Sequence, residues 1–327
     1  MSAVLNSARG VAGAPYFTSV VTVVLLAVLL LAGGAAYPGF LSWQVMLNLL
    51  IDNAFLLVLA IGMGLVILSG GIDLSVGSVL ALTTMVAAWL LNTAHWPPAV
   101  VIVAVLAMGA LFGAAQGAII HYFQLQPFIV TLAGMFLARG LCYLISIESI
   151  TIDDPLFVAV SQVQVPVLGG FLSVGALVAL ALLAATIWVS RRTAFGRAVY
   201  AIGGNEQSAL MMGLAVGRTR MLVYSFSGLC ASLGGVLFAF YMLSGYGQHA
   251  QGTELDAIAA VVIGGTLLSG GYGYVAGALS GVLVLGTIQT LIAFDGTLSS
   301  WWTKIVIGAL LFLFCVVQRL LSARVPS

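Results

Sequence analysis

Long apolar runs separated by short polar, glycine- or proline-containing breaks dominate the chain. A helix needs about 20 apolar residues to cross the hydrocarbon core of a bilayer. Runs of that order lie at 17–36, 44–69, 74–92, 98–120, 127–147, 172–190, 221–243, 256–271, 275–293 and 304–321. Pro38-Gly39, Pro97-Pro98 and Pro127 mark breaks that a helix does not continue through. Gly70-Gly71 and Gly270-Gly271 interrupt two apolar runs without any polar loop. The pattern predicts an all-α polytopic membrane protein with about ten transmembrane helices, built as a single transmembrane domain over residues 1–327.

Composition narrows the function classes. Of 327 residues only ten are Lys/Arg and nine Asp/Glu, 6% charged, against roughly 25% in a soluble domain. That is too few to cover a soluble surface, and the mean hydropathy of +1.20 agrees. A formal net charge of +1 leaves no basic footprint for nucleic acid. Cys142, Cys230 and Cys315 each lie in an apolar run and read as small hydrophobes, with no disulfide framework and no metal site. Lys304 is the only lysine, in Trp302-Thr303-Lys304-Ile305. No Walker A loop can be built around it, so the chain is not a P-loop ATPase by itself. His95, His121 and His249 fall in separate loops, and no H-E-x-x-H, G-x-S-x-G or C-x-x-C occurs. Nothing points to catalysis, a metal or a cofactor.

Arginine placement sets the orientation. The segment 191–220 holds Arg191, Arg192, Arg197, Arg218 and Arg220, half of all basic residues, which places it in the cytoplasm. Arg9, Arg319 and Arg324 place both termini there as well, and six spans before that loop with four after it give consistent parity. The longest loop of opposite side, 148–171, carries Glu148, Asp153 and Asp154 and no Lys or Arg. Arg9, the apolar stretch from Phe17 and Gly33-Gly34-Ala35-Ala36 could also form a cleaved signal peptide. The stretch is long for that, and it reads as an uncleaved first helix.

Three segments stand out. In Ser69-Gly70-Gly71-Ile72-Asp73-Leu74-Ser75-Val76-Gly77-Ser78, an acid lies between two apolar spans. A carboxylate at the bilayer centre costs roughly 2.5–3.5 kcal/mol on insertion scales. Asp73, Ser75 and Ser78 are therefore either caps in a plain cytoplasmic turn or part of a broken helix lining a translocation path. In the second segment, Gly203-Gly204-Asn205 forms a turn, Asn205 caps a short helix from Glu206 to Met212, and Gly213 ends it. That helix, with an apolar face from Ala209, Leu210 and Met212, packs either on this chain's own surface or on a cytoplasmic partner. In the third, Glu254 and Asp256 lie at the outer mouth of a span, as solvated end charges or as contacts for an extracytoplasmic partner. Trp301, Trp302 and Lys304 fit an aromatic belt with a snorkelling lysine. Leu-Ser-Gly-Gly occurs twice, at 68–71 and 268–271, each with flanking glycines. The two copies are an internal repeat or a chance match, and they run in the same direction.

Gly-Gly-Ile-Asp-Leu-Ser-Val-Gly-Ser (70–78), Phe-Gly-Arg (195–197) with Ala-Ile-Gly-Gly-Asn (201–205), and Glu-Leu-Asp-Ala-Ile-Ala-Ala-Val-Val-Ile-Gly-Gly (254–265) resemble the permease subunits of ribose-type sugar ABC importers. The resemblance spans roughly residues 45–320. Asp52-Asn53-Ala54-Phe55, Ala133-Gly134-Met135-Phe136, Glu148-Ser149-Ile150 and the stretch from Phe294 to Lys304 are most similar to a permease of the galactofuranose importer. The resemblance implies a permease of the bacterial inner membrane, not an enzyme. Its partners would be a second, different permease chain, a cytoplasmic ABC ATPase, a periplasmic sugar-binding protein and membrane lipid. Within the coupling loop 191–220, residues Arg197, Gly203, Gly204, Asn205, Glu206, Ala209 and Gly213 would serve coupling to the ATPase. An intramembrane enzyme would turn over without a partner, and a channel would conduct without ATP. An importer subunit alone does neither.

Overall fold

The computed structural model of the chain describes residues 17–299 and 301–322. Arg9 and Arg324, used above for orientation, lie outside them. In chain order the first half contains α1 (Phe17–Ala36), α2 (Trp43–Asp52), α3 (Ala54–Leu68), α4 (Val76–Asn92), α5 (Pro98–Tyr122) and α6 (Pro127–Ile145). A short strand β1 (Ile150–Thr151), α7 (Pro155–Gln162), and strands β2 (Gln164–Val167) and β3 (Gly170–Ser173) lead to α8 (Val174–Arg192). The second half contains α9 (Ala194–Gly204), α10 (Glu206–Met211), α11 (Val216–Met242), β4 (Ser244–Gly245), α12 (Thr253–Ile263), α13 (Gly277–Asp295) and α14 (Trp301–Ser322).

Three of the prolines start helices. Pro98, Pro127 and Pro155 each occupy a first-turn position, where the missing N–H is not needed and φ is already helical. Helix α3 has no polar residue, and nearly its whole length is buried. A helix apolar all round belongs in the interior, and α3 is the central post, packed against α11, α12, α8 and α13. Helices α5 and α11 pair most extensively. Gly109, Gly113 and Gly117 recur every four residues along α5, so its backbone lies directly on that of α11. A Cβ at Gly117 would come 2.9 Å from the Met221 Cα.

The ten expected spans are not all single crossing helices. Among the described residues six helices are long and apolar enough to cross a membrane, or seven if α2 and α3, bent by 54° at Asn53, count as one. Helix α4 and the apolar part of α14 are shorter. The expected span 256–271 ends at Ile263. Gly265, Gly270, Gly271 and Gly273 all have positive φ, so the chain from 264 to 276 is irregular, not helical. Eleven residues of α12 reach only about 16 Å. Two short antiparallel ribbons, β1 with β4 and β2 with β3, lie on the side of the long acidic loop and leave the all-α class unchanged.

Replacing Gly113 by Val would press a branched side chain into the backbone of α11. Overpacking of this kind costs about 1–3 kcal/mol. A lowered thermal midpoint of the detergent-solubilised protein is expected, and an unchanged midpoint would show that the close α5–α11 approach contributes little.

Candidate functional site

Between α3 and α4 the chain leaves the helix, and Ile72 to Ser75 run back into the bundle. Asp73 is 1% exposed. Its Oδ1 accepts the Ser75 backbone N–H at 2.9 Å and the Ser75 hydroxyl at 2.6 Å. Its Oδ2 accepts the Ser227 hydroxyl of α11 at 2.7 Å. Ser227 lies eleven residues beyond the start of α11, about 16 Å along a helix of about 40 Å. Asp73 is therefore deep in the bundle and fully partnered, and it holds the amide just before α4. Ser78 donates to the Ser75 carbonyl at 2.7 Å. The Ile72 carbonyl accepts from Thr131 of α6 at 3.2 Å. Asp73, Ser75 and Ser78 are all buried; they form a polar knot within the wall of the bundle.

A second segment enters from the far end. From Leu243 to Gly252 the chain follows β4 and then descends beside α4, with Gly245 against Thr84 and Ala250 near Gly77. Arg139 of α6 fastens it, donating to the carbonyls of Gly247 at 2.6 Å and His249 at 2.8 Å. Sequence reasoning passed over Arg139, yet a lone arginine inside a predicted span is a standing signal of a functional or structural role. The segment ends at the start of α12, where Glu254 abuts Gly77 in the first turn of α4. Two broken helices thus begin beside each other. Asp256 is buried and pairs with Lys304 of α14 at 2.6 Å. It faces an internal cation in place of solvent, and Lys304 uses its charge within the chain. Trp301 and Trp302 are exposed as a belt requires. Thr297 and Tyr37 both donate to the Asp295 carboxylate, tying the ends of α1 and α13.

The third assembly is α9 with α10. Thr193 caps α9 through the Gly196 amide at 3.2 Å, and Asn205 caps α10 through the Ser208 amide at 2.8 Å. Gly203 and Gly204 are the last residues of α9, not a free turn. Arg197 is exposed on α9. Glu206 pairs with Arg220 at 2.6 Å, and Gly213 ends the unit at φ +77. Ala209 is fully buried with Ile202 and Val216 of this chain. Leu210, Met211 and Met212 are 53%, 87% and 67% exposed. Of the expected apolar face, Ala209 roots the helix at home, and the outward part is Leu210-Met211-Met212.

Glycines join this unit to both broken helices. The two Leu-Ser-Gly-Gly copies meet: a Cβ on Gly270 would come 2.8 Å from the Gly70 Cα. On the other side, a Cβ on Gly271 would come 2.6 Å from the Gly204 Cα, and one on Gly203 would overlap the Leu68 carbonyl. That carbonyl accepts the Gly271 N–H at 2.9 Å. Among the described residues no cluster of His, Cys, Asp or Glu could hold a metal.

A sequence profile described as branched-chain amino acid transport system / permease component matches residues 45–315. The chain is 50% identical over 285 residues to the inner membrane ABC transporter permease protein YjfF of Escherichia coli K12, covering 86% of each. It is 39% identical over 308 residues to the fructose import permease protein FruG of Bifidobacterium longum, covering 92% of this chain and 90% of that protein. Against the ribose import permease protein RbsC of Escherichia coli K12 it is 35% identical over 328 residues, covering 94% and 98%. No solved structure matches the chain.

Asp73→Leu would strand the Ser75 amide and two hydroxyls. Each buried unsatisfied donor costs about 1–3 kcal/mol. We expect a membrane-inserted protein with a lower thermal midpoint, whereas Asp73→Asn, which keeps an acceptor, should lose much less. Equal midpoints for the two variants would remove the anchoring role.

Proposed function

The chain belongs to the branched-chain amino acid transport system / permease component family, among its ribose-type sugar ABC permeases, and from that membership we propose that it forms half of the translocation pathway of an ATP-driven galactofuranose importer. It is a multi-pass protein of the bacterial inner membrane. Members of the family are permease components, and the ATPase is a separate subunit.

In this proposal residues 1–327 act as one permease domain beside a second, different permease chain. The arginine-bearing end faces the cytoplasm, and a periplasmic protein delivers the sugar at the other. The observation that carries the reading is the α9–α10 unit. It offers three exposed apolar side chains at its tip, while its root meets Leu68 at the end of α3 and Gly271 in the irregular stretch after α12, backbone on backbone at Gly203 and Gly204, with Tyr200 donating to the Gly273 carbonyl at 3.0 Å. An isolated six-residue helix is unstable in water; its root on Ala209 and a docked ATPase give it order from both sides. Arg197, Glu206 and Gly213 shape that contact. Asp73, Ser75 and Ser78 stiffen the wall behind the pathway. Glu254 and Asp256 set the start of α12 inside the bundle, beside α4 and α14.

The choice of sugar rests on the galactofuranose-type motifs at 52–55, 133–136, 148–150 and 294–304. The alternative cargo is another sugar such as ribose, for which one relative is named, or xylose. In proteoliposomes with both permeases, the ATPase and the binding protein, unlabelled galactofuranose should compete best against labelled sugar. Stronger competition by ribose or xylose would transfer the assignment to that sugar. The chain alone should neither hydrolyse ATP nor accumulate sugar.

Met211→Glu would place an unpaired carboxylate at the ATPase contact. That should weaken ATPase association on the order of a hundredfold, with the permease still inserted and thermally unchanged. Ala209→Glu should act differently, lowering the permease's own midpoint, because Ala209 is buried within this chain. Unimpaired co-purification of the ATPase with Met211→Glu would overturn the docking role.

A further inference from the structure

The bend between α2 and α3 faces α13 across a groove of about 280 Å³. Polar side chains line most of it: Asn48, Asp52 and Asn53 from the bend, Gln289 and Thr290 from α13. Gly286 lets α13 pass close, since a Cβ there would come 2.6 Å from the Asn53 Nδ2. Several of these groups are half used. Asn53 Nδ2 donates to the Leu49 carbonyl at 3.0 Å, and Asn48 Oδ1 accepts from Gln44 at 2.8 Å. Asp52 Oδ1 accepts from Tyr241 at 3.3 Å. That leaves the Asn53 side-chain carbonyl oxygen, the Asn48 side-chain amide N–H groups and the second Asp52 oxygen. Thr290 donates to the Gly286 carbonyl at 2.9 Å and keeps acceptor capacity. Gln289 has no hydrogen-bond partner among the described residues. It lies six residues before the end of α13, about 9 Å below it. At that depth an unpaired amide facing hydrocarbon is costly, and one facing a wet groove is not.

We propose that this groove is a monosaccharide subsite at the extracytoplasmic mouth of the pathway, a proposal that rests on the sugar-importer reading above. Amide donors, amide acceptors and one carboxylate converge, which suits a ring bearing several hydroxyls, each both donor and acceptor. No cation lines the groove, so an anionic ligand has no partner there. Phe294 supplies an apolar face at one edge. The volume falls near the lower end of the roughly 300–1,000 Å³ of small-molecule pockets, room for one sugar ring and not for a chain of them.

The test uses the complete transporter in proteoliposomes. Gln289→Cys should react with a membrane-impermeant thiol reagent from the binding-protein side. Ribose, fructose, xylose and galactofuranose are each offered at high concentration. At least one, the sugar that the transporter carries, should slow the reaction, while betaine at equal osmolarity should not. Gln289→Leu keeps the side-chain volume and removes the amide. It should lower uptake about two- to tenfold, the worth of one neutral hydrogen bond, with ATP turnover and binding-protein affinity unchanged. Ala293→Trp, which fills the groove but leaves every polar lining residue in the sequence, should do the same. Failure of Gln289→Cys to react would mean that another subunit or lipid covers the groove, and the proposal falls. It also falls if no sugar protects Gln289→Cys and Gln289→Leu transports like the parent, in which case the importer reading stands. If the parent carries none of the four sugars, both fall.

Discussion

Backbone that leaves a helix inside a bilayer exposes amides and carbonyls that water cannot reach, and each must find a partner within the protein. Two segments of this chain are under that constraint. Residues 69–75 bring an unmet N–H, and Asp73 supplies the acceptor. Residues 243–252 bring unmet carbonyls, and Arg139 supplies the donors. One acid serves one segment and one base the other, each by hydrogen bonding backbone and not by pairing with the opposite charge. The shared outcome is that α4 and α12 begin beside each other inside the bundle, with Gly77 admitting Glu254. The same need explains why Ser227, on a helix that is otherwise a packing element, lies opposite Asp73.

These broken helices are also what the α9–α10 unit touches. The last two residues of α9, Gly203 and Gly204, lie against Leu68 at the end of α3 and Gly271 in the turn after α12. Both Leu-Ser-Gly-Gly copies take part, so the similarity between 68–71 and 268–271 corresponds to a physical meeting of the two segments. The contact joins the surface unit to the start of segment 69–75 and to the irregular stretch 264–276 that follows α12, main chain against main chain at the glycines.

The sequence made the membrane class, the helical character, the Asn205 cap and the ending of α10 at Gly213 legible, because apolar runs and caps are local signals. It did not reveal that 256–271 is half helix and half irregular, since glycine-rich apolar runs score the same either way. Asp73 was recognised as an exceptional residue, but its partner lies 154 residues away, and no local pattern points to a serine on a distant helix. The same holds for Asp256, which read as a mouth charge until Lys304 was placed next to it. Ala209 read as part of an outward face because helical periodicity gives faces, not what covers them. Gln289 and Asn48 drew no attention, being single polar residues in long apolar helices whose shared groove exists only in three dimensions.

Loops between membrane helices ordinarily absorb sequence change more readily than the helices they connect. The glycine junction at 70, 203, 204, 270 and 271 reverses that expectation. Its surfaces are main chain on main chain, so even the single methyl of an alanine has nowhere to go at Gly203, Gly270 or Gly271. The positive φ at Gly270 and Gly271 adds a second penalty for any side chain. Leu210, Met211 and Met212, a few residues along, project into open space and accept a wide range of replacements without disturbing the fold. Within one surface assembly, then, the chain combines a face whose residues can be exchanged to suit whatever docks there with a joint that has no tolerance for variation.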